Sequence, residues 1–561
     1  MRIGWVAHCE GALMADPLEV AGESRPRLPP SLAGLLAPAA YPHPVATVEL
    51  IETPISWVLL AGEFAYKIKR PVRYPFIDLR SSERRRFLCE EELRLNRRFA
   101  PELYLEVCAV VSIGGRPRIR LRTSGPDRER ESESVLEHAV RMRRFSHRDE
   151  LDQLLATHRV EPLELEVFGR SLAEVHSGLP TAEADSPAGT APSVQAALMR
   201  NFLECAEAAA ALGTAEEVLA LREALERRIG AALPCMALRR ERGRVRECHG
   251  DLHSRNIVRL QERLVAFDSL EYEPAFRWID VADEIAFLSS DLAARHFDSH
   301  AHAFLCGYLA QSGDYHACRL IRLYEAHRAL VRAKVAALTA AALAAGPERE
   351  SARLEHLRLI AHAAVALTAR SPVLLLMCGV SGSGKTWLAR LLAQQLSALH
   401  LRSDVERKRR AGLDALAHSG SGLAAGLYRS EMTATVYDDL ARAAEDGLAG
   451  GYSVIVDATF LKRDVRARFA ALGARRGLRT HFICCQAPLP VLRARLLARA
   501  RMGLDPSEAD LSVLEWQRSR IEPFGPDDPF DVIYVESADP QALEKVLHRV
   551  EQRPGAQLPA V

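Results

Sequence analysis

Residues 373–396 read VLLLMC, then GVSGSGKT, then WLARLLAQQL. Six apolar residues are the length of a buried strand, and the last ten repeat apolar positions at helical spacing. The eight between them, Gly379–Thr386, fit the pattern GxxxxGKT in full. The chemistry explains the residue types. Gly379, Gly382 and Gly384 let the backbone N–H groups, with those of Ser381 and Ser383, wrap a polyphosphate. The helix that starts there adds a favourable dipole. Lys385 is placed to reach the β- and γ-phosphates, and the Thr386 hydroxyl to ligate magnesium. This stretch therefore predicts a strand–turn–helix unit that binds ATP with Mg2+.

Downstream, LHLRS (399–403), YSVIVDAT (452–459), THFICCQA (480–487) and DVIYVES (531–537) alternate with helical runs. That alternation predicts a parallel sheet covered on both faces, over a domain of residues 372–561. Asp457 ends the apolar strand YSVIVD, where a magnesium-side carboxylate belongs. Asp404 follows the second strand and is placed to orient an acceptor hydroxyl, with Arg407 three residues on to grip a charged substrate; both fall where open α/β sheets bind ligands. Arg495 and Arg499 lie one turn apart before the polar stretch MGLDPSEAD (502–510). They suit a closing lid that carries arginines onto a transferring phosphoryl group; the same spacing also suits a solvated helix face. Lys462, Arg463 and Arg466 read equally as substrate contacts or as a surface charge run.

Upstream, Gly346-Pro347 and Ser371-Pro372 bracket a helical stretch, read as a linker over 346–371. Residues 46–345 before it read as a small β-rich lobe followed by a large helical lobe. VELIETPISWVLLAGEFAYKIK (48–69) alternates around a turn at Gly62, a charged helix follows over 82–99, and 103–113 pairs with 116–123 across Gly114-Gly115. From Val140 to Leu233 the pattern is mostly helical. Residues 1–45 read as an irregular lead-in, and the choice of Met1 or Met14 as start stays open. Within the lobes, HGDLHSRNI (249–257) places Asp251 and Asn256 five apart on a loop between short strands, and LVAFD delivers Asp268. Phosphoryl transfer needs a carboxylate to take the acceptor proton, and an amide oxygen with a second carboxylate to hold magnesium. Asp251, Asn256 and Asp268 supply that set in that order. Phe64-Ala65-Tyr66-Lys67 puts Ala65 and Lys67 on one strand face, so Lys67 can reach the phosphates. Of Glu90, Glu91 and Glu92 on the next helix, Glu92 is chosen to brace it. Leu136–Met142 is read as the hinge that holds adenine.

On HGDLHSRN with FD downstream and AYK upstream, residues 46–345 resemble the aminoglycoside phosphotransferase and choline kinase group of the protein-kinase-like fold. The resemblance implies Asp251 as catalytic base, Asn256 and Asp268 as magnesium ligands, and Lys67 as phosphate ligand. Only Gly62 marks the first hairpin, and His253 stands where protein kinases carry a catalytic-loop lysine, so the small-molecule branch is favoured. On its phosphate-binding turn, the region 372–540 resembles the P-loop kinases that include zeta toxins, gluconate-kinase-like enzymes and polynucleotide kinases. The order of the two resembles a bacterial family described as fused aminoglycoside phosphotransferase and AAA-type ATP-binding proteins. The fold expected is thus multidomain, an α+β bilobal kinase-like domain followed by an α/β domain with a parallel sheet.

Composition narrows the function classes. The 561 residues carry a net charge of +1. Residues 371–561 hold 25 Lys and Arg against 22 Asp and Glu, so that part is +3 and the rest −2. Neither has the basic excess of a nucleic-acid binder, which argues against an end kinase acting on nucleic acid. Eleven scattered cysteines without a CxxC pair predict reduced, buried thiols and a cytoplasmic protein. No run reaches the ~20 apolar residues of a membrane helix, and the first residues lack a signal-peptide core. The function expected is ATP-dependent transfer of the γ-phosphoryl group to a hydroxyl of a small polar molecule at two sites. The competing reading makes one domain catalytic and the other a nucleotide-binding switch.

Overall fold

The structure, a computed structural model, describes residues 28–74, 77–121, 134–415, 417, 429–502, 505–525, 528 and 530–551. The chain forms two compact units: Met1–Ala301 with Ile321–Thr368, and His302–Leu320 with Ala369–Val561. The start-site question falls outside the described residues.

The first unit opens with strands β1 (Val48–Glu52), β2 (Ser56–Ala61) and β3 (Phe64–Lys69). After helix α1 (Ser82–Asn96) come β4 (Tyr104–Ile113), β5 (Arg116–Arg120) and β6 (Ser134–Arg143). They form one antiparallel sheet in the order β1-β2-β3-β6-β4-β5. Both faces are covered, which is why β2 is buried at every position. Trp57, Leu59, Tyr66 and Ile68 pack on one side with Leu28, Leu32, Leu35 and Tyr41. The described part of the lead-in is therefore a lid on the sheet, and its Pro and Ala residues make 3-10 turns that present those side chains. Val58, Leu60, Ala65, Val140 and Met142 face the other way, towards Cys89 of α1 and towards Val258, Val265 and Phe267.

Two readings change here. Val140–Arg143 is the end of β6, not helix, and Leu136–Met142 is an interior strand paired with both β3 and β4 rather than a hinge. Cross-strand pairing on both edges outweighs any local signal. The helical part that follows includes α2 (Pro162–Gly178), α3 (Ala191–Ala210), α4 (Arg222–Glu241) and α5 (Val281–Ala294), with strands β7 (Val245–Glu247), β8 (Ile257–Leu260) and β9 (Arg263–Ala266) ahead of α5. Helices α6 (Asp298–Ser312) and α7 (Cys318–Ala342) come next, then α8 (Pro347–Leu367). Helix α8 is not a free linker: His356, Leu359, Ile360, Ala363, Ala366 and Leu367 are buried, and His356 lies 2.9 Å from Thr214 Oγ1 and 2.8 Å from Ala333 O.

In the second unit, β10 (Leu374–Cys378), β11 (Leu399–Arg402), β12 (Val454–Asp457), β13 (Thr480–Gln486) and β14 (Asp531–Glu536) make a wholly parallel sheet in the order β11-β12-β10-β13-β14. Beside β10 run α9 (Lys385–Leu396) and α15 (Ala542–Glu551), whose Leu388, Leu392, Val546 and Val550 join Leu375 and Met377 in one core. Between them in sequence lie α10 (Ser403–Arg410), α11 (Ser430–Ala449), α12 (Arg463–Arg475), α13 (Leu489–Met502) and α14 (Leu511–Arg518). Residues 302–320 also belong to this unit: Tyr315 donates to Glu406 Oε1 at 3.1 Å, and Arg319 pairs with Asp446 at 2.6 Å. Among the described residues no helix is long and apolar enough to cross a membrane, and the ten described cysteines are free thiols.

Candidate nucleotide sites

In the first unit, strand alternation sends Ala65, Lys67 and Lys69 to one face of β3. Lys67 Nζ lies 3.0 Å from Glu92 Oε1 and 2.6 Å from Asp268 Oδ1. Glu90 instead pairs with Arg86 on the exposed side of α1, and Glu91 pairs with Arg94, which also reaches Glu247. Burial raises the Glu92 carboxyl, but Lys67 and Lys69 outweigh it and hold it down at about 2. Asp268 sits at φ +63°, left-handed for a residue with a side chain, a conformation the surroundings must hold. They do so through Tyr104 Oη, which accepts its N–H, and Asn96 Oδ1, which accepts that of Ser269.

The HGDLHSRN loop is built by its own histidines. His249 Nε2 donates to Phe267 O at 2.8 Å while Nδ1 accepts the Asp251 N–H, and burial lowers this ring to about 4, so it is a neutral anchor. Gly250 takes φ +86°, and a Cβ there would lie 2.9 Å from Phe276 O. Glu284 of α5 accepts the backbone N–H groups of His249 and Gly250. Asn256 Nδ2 donates to Asp251 Oδ2 at 2.9 Å. His253 Nδ1 accepts the Arg255 N–H, so Nε2 carries the proton; it lies 3.4 Å from that same oxygen. Asp280 and Asp291 are structural: the first caps α5 and pairs with Arg239, and the second accepts the Ser254 N–H and pairs with Arg332.

In the second unit, the Gly379–Thr386 turn joins β10 to α9 at the carboxyl end of the central strand, where the strand order reverses and ligands bind. Gly384 adopts φ +90°, and a Cβ there would meet Ser537 Cβ at 2.6 Å. A cavity of about 850 Å3 opens over the turn. Ser381, Gly382, Gly384, Lys385, Thr386, Asp404, Arg407, Asp457, Arg495 and Arg499 all line it. Gly379 and Ser383 stand behind it, and the buried Ser383 Oγ has no protein partner. Lys385 Nζ donates to Val380 O at 2.9 Å, and burial lowers its pKa. Burial raises Asp457, but His400, Arg402 and Lys385 together bring it down to about 2, so it is ionised at neutral pH. Arg407 donates to Thr433 Oγ1 at 3.3 Å. Arg495 donates to Ser537 Oγ at 2.6 Å and Arg499 to Ala509 O at 2.6 Å, so both are held in the site rather than spread on a solvated face. Residues 503–504 of the polar stretch lie outside the described residues.

Arg466 is neither a surface charge nor a substrate contact. It is fully buried, donates to Phe460 O and Leu461 O, and lies over the Phe524 ring, so it shapes the turn after β12. Arg463 pairs with Asp528, whereas Lys462 lines the cavity. Several residues that support the candidate sites carry no motif of their own in the sequence. Gln517 accepts the Ser381 N–H at 2.7 Å, His400 lies 3.2 Å from Asp457 Oδ2, and Lys69, Glu271 and Glu284 support the first site. Only Lys69 had a signal, its place two residues after Lys67. Among the described residues no three metal-ligating side chains cluster. The donor sets still fit magnesium delivered on a nucleotide, which needs only one or two carboxylates plus phosphate oxygens.

The comparisons with known proteins fall on both units. A sequence model described as an AAA domain matches residues 374–524. Proteins of Mycobacterium tuberculosis and Mycobacterium bovis, each described as uncharacterised, are 27% identical over 497 residues, covering 86% of this chain and 94% of theirs. Among solved structures, a choline/ethanolamine kinase family protein from Mesorhizobium loti aligns at 13% identity over 57% of this chain and 92% of its own, TM-score 0.33. A sugar kinase from Janibacter aligns at 22% identity over 32% and 93%, TM-score 0.25. The chain is thus similar over most of its length to mycobacterial proteins of the same size class, and its residues 374–524 carry the AAA-domain sequence pattern.

Proposed function

We propose that the protein is an ATP-dependent phosphotransferase with two Mg·ATP sites, each serving a hydroxyl of a small polar acceptor. The observation that carries the reading is that Lys67, Glu92 and Asp268, from three separate segments, meet in one ion-paired group, while the loop with the Asp251–Asn256 hydrogen bond is tied to the Asp268 segment by the Phe267 N–H, which donates to Asn256 O. In that site Lys67 would hold phosphate oxygens while Glu92 keeps its ammonium in place. Asn256 and Asp268 would hold magnesium, which neutralises phosphate charge when bound. Asp251, oriented by Asn256 and His253, would accept the acceptor proton. In the second site the backbone N–H groups of the glycine-rich turn and Lys385 would cradle the phosphates, with Thr386 and Asp457 on the metal side. Asp404 would orient the acceptor, and Arg495 and Arg499 would stabilise the charge of the moving phosphoryl group.

The test is Mg-dependent ATP turnover by wild type, Asp251→Asn and Lys385→Ala with sugars, aminoglycosides and nucleosides as acceptors. Each substitution should remove a separate, acceptor-specific part of the turnover. Turnover untouched by Lys385→Ala, with nucleotide binding lost, would make the second unit a sensor and only the first an enzyme.

A further inference from the structure

Beneath the Lys67–Glu92 pair lies a second one that no step above uses. Lys69, on the same face of β3, has no exposed side-chain surface. Its Nζ lies 2.7 Å from Glu92 Oε2 and pairs with Glu271, which is 5% exposed. The two oxygens of Glu92 are thus divided, Oε1 to Lys67 and Oε2 to Lys69. Glu271 stands three residues after Asp268 on the same loop, and Asp268 is the other partner of Lys67.

We propose that Lys69 and Glu271 form a fixed second rung that positions Glu92 and the Asp268 loop for magnesium and nucleotide binding; this rests on the reading of the first unit as a nucleotide site. Lys67 bridges Glu92 and Asp268, so to serve a nucleotide it must release Asp268 to the metal and turn to the phosphates. A Glu92 held by Lys67 alone would be drawn along. Lys69 is sealed from solvent, reaches no ligand, and keeps Glu92 Oε2 in place through that exchange. At its other end it pins Glu271, and with it the loop that holds Asp268 at φ +63°. Stability alone is a poor reason to bury such a pair, since apolar residues of equal volume commonly do as well.

The experiment uses the full chain carrying Lys385→Ala, so that only the first site binds nucleotide, and adds Lys69→Met with Glu271→Gln. The double change removes one charge of each sign, so the net charge beside the ligand is unchanged. A fluorescent N-methylanthraniloyl ATP is titrated across a magnesium series, with the unfolding midpoint recorded for each protein. The expected result is about tenfold weaker nucleotide binding, equivalent to ~1.4 kcal/mol, and a higher magnesium half-saturation. A pair with a merely structural role would lower the midpoint and leave the magnesium half-saturation of the folded protein unchanged, which overturns the proposal. If the double variant does not fold, Glu271→Gln alone, which leaves Lys69 paired with Glu92, is compared instead; the net positive charge it adds would by itself tighten binding of the anionic nucleotide, so weaker binding still reads the loss of the rung. A Lys385→Ala parent that binds no nucleotide overturns the site reading and the rung together. A parent that binds beside an indifferent variant overturns the rung alone.

Discussion

At the residue scale, the two sites differ in how their charges are held. Asp251 is buried and receives the Asn256 amide, so its orientation is set before any acceptor arrives. Asp251→Asn keeps the shape and removes the proposed proton acceptor. First-site turnover should fall about 10²–10⁴-fold with little change in nucleotide affinity, read from single-turnover kinetics beside a binding titration. Gly384 marks the other site. With φ +90° and Ser537 Cβ 2.6 Å from where a methyl would stand, Gly384→Ala should displace the turn and abolish nucleotide protection of the second unit against thermal unfolding. Ser537 lies 153 residues downstream, so the requirement is visible only once β14 is placed beside the turn.

Single elements carry the next level. Helix α5 braces the HGDLHSRN loop through Glu284, whose carboxyl burial pushes up to about 7, partly offset by Arg328 and by the Gly250 and His249 N–H groups. The unfolded chain would titrate this group near 4.5, so the folded state holds the extra proton between the two values. Its stabilising contribution is complete below the lower value and is lost as pH rises towards the upper one. Glu284→Gln should therefore gain on wild type as pH rises over that window and keep a constant difference above it, measured by denaturant midpoints across the range. Helix α10, which carries Asp404 and Arg407, is held from behind by the Tyr315–Glu406 hydrogen bond. Tyr315→Phe removes a buried bond to a charged acceptor and should cost the second unit about 1.5–3 kcal/mol. Unfolding followed by loss of nucleotide protection reads it.

At the scale of the whole molecule, helix α8 separates what looks like a connector from what is core. Leu359 is 1% exposed and His356 fully buried. Leu359→Ala should cost the first unit about 2–5 kcal/mol, whereas a free linker would tolerate it within about 0.5 kcal/mol; urea unfolding distinguishes the two. The sequence by itself determined the parallel sheet of the second unit, because strand and helix periods, glycine spacing and the GKT sequence are local properties that agree with one another. It also determined the residue types of both candidate sites, since phosphate and magnesium chemistry demand a short set of groups at short spacings. Only the tertiary structure decided that 136–142 is an interior strand, that residues 28–45 of the lead-in and α8 pack into cores, and that 302–320 joins the second unit. The same holds for Lys69, Glu271, Glu284, Gln517 and His400, whose partners lie far along the chain. Each of these depends on which distant surface covers a segment, and burial against a remote partner leaves no periodic trace in the segment itself.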